Sequence, residues 1–332
     1  MAAPSVATIV GADSLIGREV NELLEQLGTP VEVRAVSSEP GVASMVLDPA
    51  EDEAEVLAPL TPDRLAGADV VFLAGMPGSA QKVLDMLDGH GGAVIDLTAG
   101  LEDNPRARLR APLVEAPPEV PADAVHVIAH PAAIALALFY GRIARRHPIT
   151  RAVVHVLEPA SARGQRGITE LQKQAVSLLS FKPMPKEVFD AQLGFNLLAE
   201  YGAEAPEPLS GFEQRVERHL ATLLANSGLT PMPSLRMIQA PVFHGYSLSI
   251  WTEFERNPGA DVLRHSLASE SVDIRGDQEE APNIVGIAGQ SGIAIGDVRV
   301  DRNNANACWF WLVADNLRIQ AAEAVAVAKE FL

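Results

Sequence analysis

The chain has 332 residues, 48% hydrophobic and 21% charged, enough for two domains with buried cores. Its formal net charge is −17 with no concentrated basic stripe, so the surface repels a phosphate backbone and no nucleic-acid partner is expected. One cysteine, Cys308, rules out an internal disulfide, and no run approaches the ~18 consecutive apolar residues of a membrane span. The N-terminus carries neither a basic segment nor a hydrophobic signal core, so the expected location is cytoplasmic.

Residues 6–10 form a β-rich run that ends in Gly11-Ala-Asp-Ser-Leu-Ile-Gly17. The spacing of Val20, Leu23, Leu24 and Leu27 then predicts an amphipathic helix. Further strands are predicted at 31–36, 69–74 and 93–96, with a helical stretch near 80–87. Strands alternating with helices in this order give a parallel sheet with right-handed crossovers, the Rossmann-like, doubly wound α/β plan. The Pro- and acid-rich residues 102–124 are predicted to be a long surface connection. Residues 128–139 predict a buried helix entered through His130-Pro131.

The second half is predicted as α+β, with longer and more antiparallel strands. Residues 151–158 read as a strand, 168–180 as a helix, and 236–255 as one long strand. Further strands are expected within 283–300 and at 305–313, and a last helix at 321–332.

A strand, Gly11-x5-Gly17 and a helix can cradle a pyrophosphate on the helix N-terminus, where Asp13, Ser14, Leu15, Ile16 and Gly17 would line it. Ser14 occupies the middle glycine position and narrows the approach. The same pattern also serves simply to pack helix on strand, and both possibilities stay open here. A ribose would lie against Ser38 and Glu39, about 20 residues past the loop, where an acid can accept its 2′-hydroxyl. Glu39 fits a solvated turn equally well. No Lys or Arg lies between Ser37 and Leu47 to meet a 2′-phosphate, so NAD is expected in preference to NADP. The run from Phe72 through Gly75, Pro77 and Gly78 to Ala80 would form a second wall of that crevice.

Eight stretches in order resemble the aspartate-semialdehyde dehydrogenase family over essentially the whole chain: GADSLIG, FLAGMPGS, AVIDLTAG, IAHPAA, EPASARGQRGITELQKQ, LGFNLLAEYG, APVFHGYS and ADNLRIQAA. The resemblance implies a dinucleotide-binding domain of residues 1–130 plus 313–332. It also implies a semialdehyde-dehydrogenase-type dimerisation and substrate domain of residues 131–312, and a homodimer. Active members of that family reduce an acyl phosphate to an aldehyde through a cysteine thioester, using NADPH.

Carried over residue by residue, the family's functional positions are altered. The nucleophilic cysteine falls on Ala133, whose methyl group cannot form a thioester. The glutamine of the family motif falls on Glu158, the substrate-carboxylate arginine on Gln239, and the acid/base histidine on Tyr246. A phosphate-binding arginine falls on Glu102. Tyrosine, with an ordinary pKa near ~10, is a poor base at neutral pH. Glu158 would place a negative charge where an anionic substrate should bind.

Substitutes are few. Cys308 lies in Ala-Cys-Trp-Phe-Trp-Leu, which reads as a buried strand. His244 would share a face with Tyr246 if that segment is extended, and could then act as an acid/base group; otherwise it sits at a strand end. His130 lies beside the site by resemblance, with no nucleophile to activate.

Two functions are therefore carried forward. One is a non-catalytic, Usg-type homologue that keeps the fold, the dimer and a weakened NAD-type site, and acts by binding or by regulating a partner. The other is an NAD(P)-dependent oxidoreductase without a covalent intermediate, in which Tyr246 or His244 gives a proton to a carbonyl. The retained Gly11, Gly17, Gly75 and Gly78 favour the second, and the missing basic clamp counts against it. Neither needs a metal.

Overall fold

The computed structural model describes residues 4–40, 44–47, 54–87, 92–115, 120–121, 123–225 and 231–332, with the side chains of 39–40, 44–47 and 54–56 outside the described set. The chain divides into two units, Met1–Ala129 with Gln320–Leu332, and His130–Ile319.

The first unit contains β1 (Ser5–Val10), α1 (Leu15–Glu25), β2 (Val31–Pro40), β3 (Ser44–Leu47), β4 (Ala54–Leu60), α2 (Pro62–Leu65), β5 (Val70–Leu73), α3 (Pro77–Met86), β6 (Ala93–Asp96), β7 (Ala107–Arg110) and β8 (Val125–Ile128). They form one eight-stranded sheet in the order β3-β4-β2-β1-β5-β6-β8-β7. It is parallel except for the antiparallel pair β3–β4. Every residue of β5 is buried, as expected of a central parallel strand with both faces covered. On one face Ala7, Ile9 and Phe72 pack with Val20 and Leu24 of α1 and with Ala321, Ala324 and Val325 near the C-terminus. On the other, Val10, Val71 and Leu73 pack with Ala80, Val83 and Leu84 of α3. This is the doubly wound plan predicted from the alternation.

One expectation fails here. Residues 102–124 are not all surface connection, because β7, inside them, pairs in parallel with β8, just beyond them. The strand is masked in sequence by Arg106, Arg108 and Arg110, which read as solvated. Arg110 is instead only 1% exposed and is held by three acceptors. Glu115 takes its Nε at 2.8 Å, Glu330 its Nη2 at 2.5 Å, and His126 Nδ1 its Nη1 at 2.8 Å. A buried guanidinium is tolerable when its donors are met in this way.

The second unit contains α4 (Pro131–Ile143), β9 (Ile149–Glu158), α5 (Gly164–Leu179), α6 (Leu209–Ala225), β10 (Ser234–Gln239), β11 (Tyr246–Phe254), α7 (Ala260–Leu267), β12 (Val272–Ile274), β13 (Ile293–Val300), β14 (Ala307–Ala314) and the start of α8 (Asn316–Ala328). Its mixed sheet runs β10-β9-β11-β14-β13-β12, with antiparallel pairs at the centre and a parallel pair at each edge. The single long strand expected over 236–255 is two strands, and β9 lies between them. Pro241 removes a ladder donor and Gly245 takes φ +83°, so the chain turns out of one strand and into another.

Burial alternates along β11, with Tyr246, Leu248, Ile250, Thr252 and Phe254 inside. The buried α4 lies on that inner face, Phe139 meeting Phe310 of β14 edge to face at 5.0 Å. The opposite face carries Val153, Leu157, Trp251, Trp309 and Trp311, all partly exposed, with Trp251 registered opposite both Val153 and Trp309. Among the described residues no helix is long and apolar enough to cross a membrane.

Candidate functional site

Two places correspond to the sequence motifs, each within one unit. In the first unit β1 turns into α1 through Gly11, which has φ +86°. Ser14 caps the helix, its Oγ accepting the Gly17 N–H at 2.9 Å. The hydroxyl thus meets one of the donors a phosphate would use, while the first-turn amides of Leu15 and Ile16 have no acceptor among the described residues. Asp13 flanks the cap, half-buried. Ser38 lies at the end of β2, Gly75 follows β5, and the exposed Pro77 is the first residue of α3. The backbone of Glu39 is in β2, and its side chain lies outside the described residues.

The glycines of this turn answer a packing demand. A Cβ on Gly11 would stand 2.5 Å from the backbone N and Cα of Gly75, and one on Gly75 would strike the Ser38 side chain. One on Gly17 would strike the Gly11 carbonyl. Gly78 meets no such crowding. Close approach of two strand-to-helix turns, and of the second to β2, therefore requires glycine at 11, 17 and 75 whether or not a nucleotide binds.

The second place is the buried end of the mixed sheet. Parallel pairing sets Gln239 beside Glu158 at the ends of β10 and β9, and Tyr246 opens β11 next to Leu157 and Glu158. After Glu158 the chain makes a single 3-10 turn, Ala160–Arg163, which swings Arg163 back over the strand end. Arg163 Nη2 donates to Glu158 Oε2 at 2.6 Å. Its Nε donates to the Tyr201 hydroxyl at 3.1 Å, and its Nη1 to the Ala162 carbonyl at 3.0 Å. Its guanidinium stacks on the Phe212 ring, 3.0 Å from the centroid.

The remaining groups close the circuit. Tyr201 Oη donates to Gln239 Oε1 at 2.5 Å, and Gln239 Nε2 donates to the Glu158 carbonyl at 2.8 Å. Tyr246 Oη donates to Glu158 Oε1 at 3.4 Å and lies 3.5 Å from His130 Nε2. His130 caps α4, its Nδ1 accepting the Ala132 N–H at 3.3 Å. Its own N–H donates to His219 Nδ1 at 2.8 Å. Ala133 follows in the first turn of α4, fully buried, with its N–H on the His130 carbonyl.

Burial dominates the electrostatics. It pushes the Glu158 carboxyl above the usual carboxylate range, against the pull of Arg163 and the Tyr246 hydroxyl. Tyr246 is pushed well above the ordinary phenol value by burial and then by the Glu158 charge, so it holds its proton. Tyr201 is raised by burial, and His130 is held well below the ordinary histidine value by burial, then by His219 and Arg163. Glu158 is therefore not the bare repulsive charge expected from sequence, because Arg163 compensates it.

Glu158, Gln239 and Tyr246 are thus brought into one network, whereas His244 is not. The segment bends at Gly245 and leaves His244 exposed while Tyr246 is buried. Cys308 is buried in β14, and burial raises its thiol pKa. Glu102 is half-buried in the turn after β6, in the first unit. Among the described residues no group of three or more His, Cys, Asp or Glu could hold a metal.

Arg163, Tyr201, Phe212 and His219 escaped the sequence reading. Arg163 alone had a signal, a basic residue five positions after an acid with no other charge between them.

Residues 6–130 match the family model described as semialdehyde dehydrogenase, NAD binding domain. Residues 142–319 match the model described as semialdehyde dehydrogenase, dimerisation domain. An aspartate-semialdehyde dehydrogenase of Prochlorococcus marinus is 25% identical over 99% of this chain and 96% of its own. A USG-1 protein homolog of Azotobacter vinelandii is 27% identical over 93% of this chain and 92% of its own. The structure of a probable aspartate-semialdehyde dehydrogenase from Pseudomonas aeruginosa superposes with a TM-score of 0.84 at 24% identity, covering 99% of this chain and 98% of that one.

Proposed function

We propose that this chain, which belongs to the semialdehyde dehydrogenase family, keeps the family scaffold and has lost its reaction. The observation that carries this is the state of the four family positions. Ala133 presents a methyl group, and Glu158, Gln239 and Tyr246 are tied into one buried network with Arg163 and Tyr201. No thiolate or alkoxide nucleophile stands there, and the phenol beside it keeps its proton. The role that remains is binding, as a scaffold or as the regulator of a partner.

The first unit is assigned weak nucleotide binding, NAD ahead of NADP. The free amides at Leu15 and Ile16 support this, as does the absence of Lys or Arg between Ser37 and Leu47. Purified protein is expected to show no phosphate-dependent oxidation of aspartate semialdehyde with either nucleotide, and Ala133→Cys alone is expected to restore none. Appreciable turnover by the wild type, lost in Tyr246→Phe or His244→Ala, would overturn the assignment. Calorimetric titration in which NADP binds more tightly than NAD would overturn the cofactor preference.

The second unit is assigned a homodimer built on the open face of its sheet, in keeping with its match to a dimerisation domain. That face gathers the chain's three tryptophans with Val153 and Leu157, apolar side chains that the protomer leaves partly exposed. Val153 is 37% exposed, so a lysine there costs the protomer little but places a charge in the interface. Val153→Lys is expected to weaken self-association at least ~10-fold by sedimentation velocity, with an unchanged circular dichroism spectrum. An unaltered dimer would place the interface elsewhere.

A further inference from the structure

The buried network has the parts of a receptor and its ligand. The two oxygens of Glu158 accept from donors on different elements, Oε2 from Arg163 and Oε1 from Tyr246. Both donors are positioned without help from Glu158. Arg163 is fixed by the Phe212 ring, the Tyr201 hydroxyl and the Ala162 carbonyl. Tyr246 is fixed by its strand register and by its contact with His130. Such a pair of converging donors, one cationic, recognises a carboxylate.

The geometry points to a site for a small monocarboxylate that the chain occupies with its own Glu158. The carboxylate is tethered through two methylenes to the strand that forms the wall, and it is fully buried, so an external anion has no access while it is there. The arrangement is an autoinhibitory contact. It rests on the proposal that the site runs no reaction, since a Glu158 held in this way serves only to fill it.

Glu158→Ala removes a methylene and a carboxylate, the atoms of acetate, and leaves both donors in place. The variant is expected to melt below the wild type in sodium chloride. Sodium acetate or formate at equal ionic strength and neutral pH is expected to raise its melting temperature by about 2–4 °C at about ten times the dissociation constant. The wild type is expected to show no difference between the salts, and Glu158→Ala with Arg163→Met is expected to lose the acetate response.

If Glu158→Ala does not fold in chloride, recovery of its far-ultraviolet circular dichroism on refolding in acetate supports the site. The inference is overturned by equal melting in the two salts, by failure to fold in both, or by a response that survives loss of Arg163. The readout is stability and not turnover. Failed rescue with an inert wild type therefore removes this site alone, whereas an active wild type removes the proposed function and, with it, the autoinhibitory reading of Glu158 that rests on it.

Discussion

Arg163→Met is expected to lower stability by about 3–5 kcal/mol at neutral pH, because it leaves Glu158 buried without its counter-charge. Arg163 and Glu158 are 10% and 0% exposed, so solvent cannot take over the role of the missing partner. The loss should depend on pH in one direction. Without Arg163, burial raises the folded-state pKa of Glu158 further above its unfolded value. A raised carboxyl pKa favours the folded state most below the unfolded pKa, and that advantage disappears as pH rises through the folded value. Arg163→Met should therefore be milder at pH 5 than at pH 8. Glu158→Gln combined with Arg163→Met removes the stranded charge and should recover most of the loss. Urea denaturation of the wild type and the two variants at both pH values checks this. Equal stability of the single and double variants would show that the pair is not the anchor of the network.

A second large effect is expected in the first unit. Burial raises Glu323 to about 7, and burial with Arg110 lowers His126 to about 4. The raised acid makes stability fall as pH rises from about 4.5 to 7, because the folded state holds a proton that the unfolded state has lost. The lowered base makes stability rise from about pH 4 to 6.5, because there the unfolded state binds the extra proton. Each effect amounts to about 3 kcal/mol, and the two run in opposite directions over nearly the same range.

Glu323→Gln keeps an acceptor for the Leu113 N–H, which Glu323 binds at 3.0 Å, and removes one of the two opposing slopes. The variant is expected to be more stable than the wild type by about 3 kcal/mol at pH 8 and equal to it near pH 4. Between those values it should show the steep His126 rise that the wild type hides. A difference between variant and wild type that does not change with pH would mean that burial leaves the Glu323 pKa at its unfolded value.

Much of the fold was legible because it rests on periodicity. The apolar runs of β1, β5 and β6 announce a buried parallel sheet, and the alternation in β11 announces a half-open one. What failed to show was structure that depends on a partner far away in sequence. β7 is disguised by arginines, one of which becomes a core residue with the help of Glu330, 220 residues later. The break between β10 and β11 was signalled by Pro241 and Gly245, but the apolar content on either side ran them together.

The altered positions of the site were readable from resemblance alone. Their meaning was not, since Glu158 looks repulsive in sequence, whereas in the fold Arg163, five residues later, stands beside it. Tyr201 and Phe212, which hold that arginine in place, lie about 40 and 50 residues away, and no local pattern connects them to it.

The placement of the tryptophans has an optical consequence. Trp251, Trp309 and Trp311 all lie on one sheet face of the second unit, and two of their indole N–H groups share Asp301 Oδ2. Tryptophan emission is therefore blind to the first unit and reports only on that face. Melting followed by fluorescence follows the second unit, while circular dichroism registers both. If the first unit loosens ahead of the second, the two curves will separate, with ellipticity lost before the emission shifts to the red.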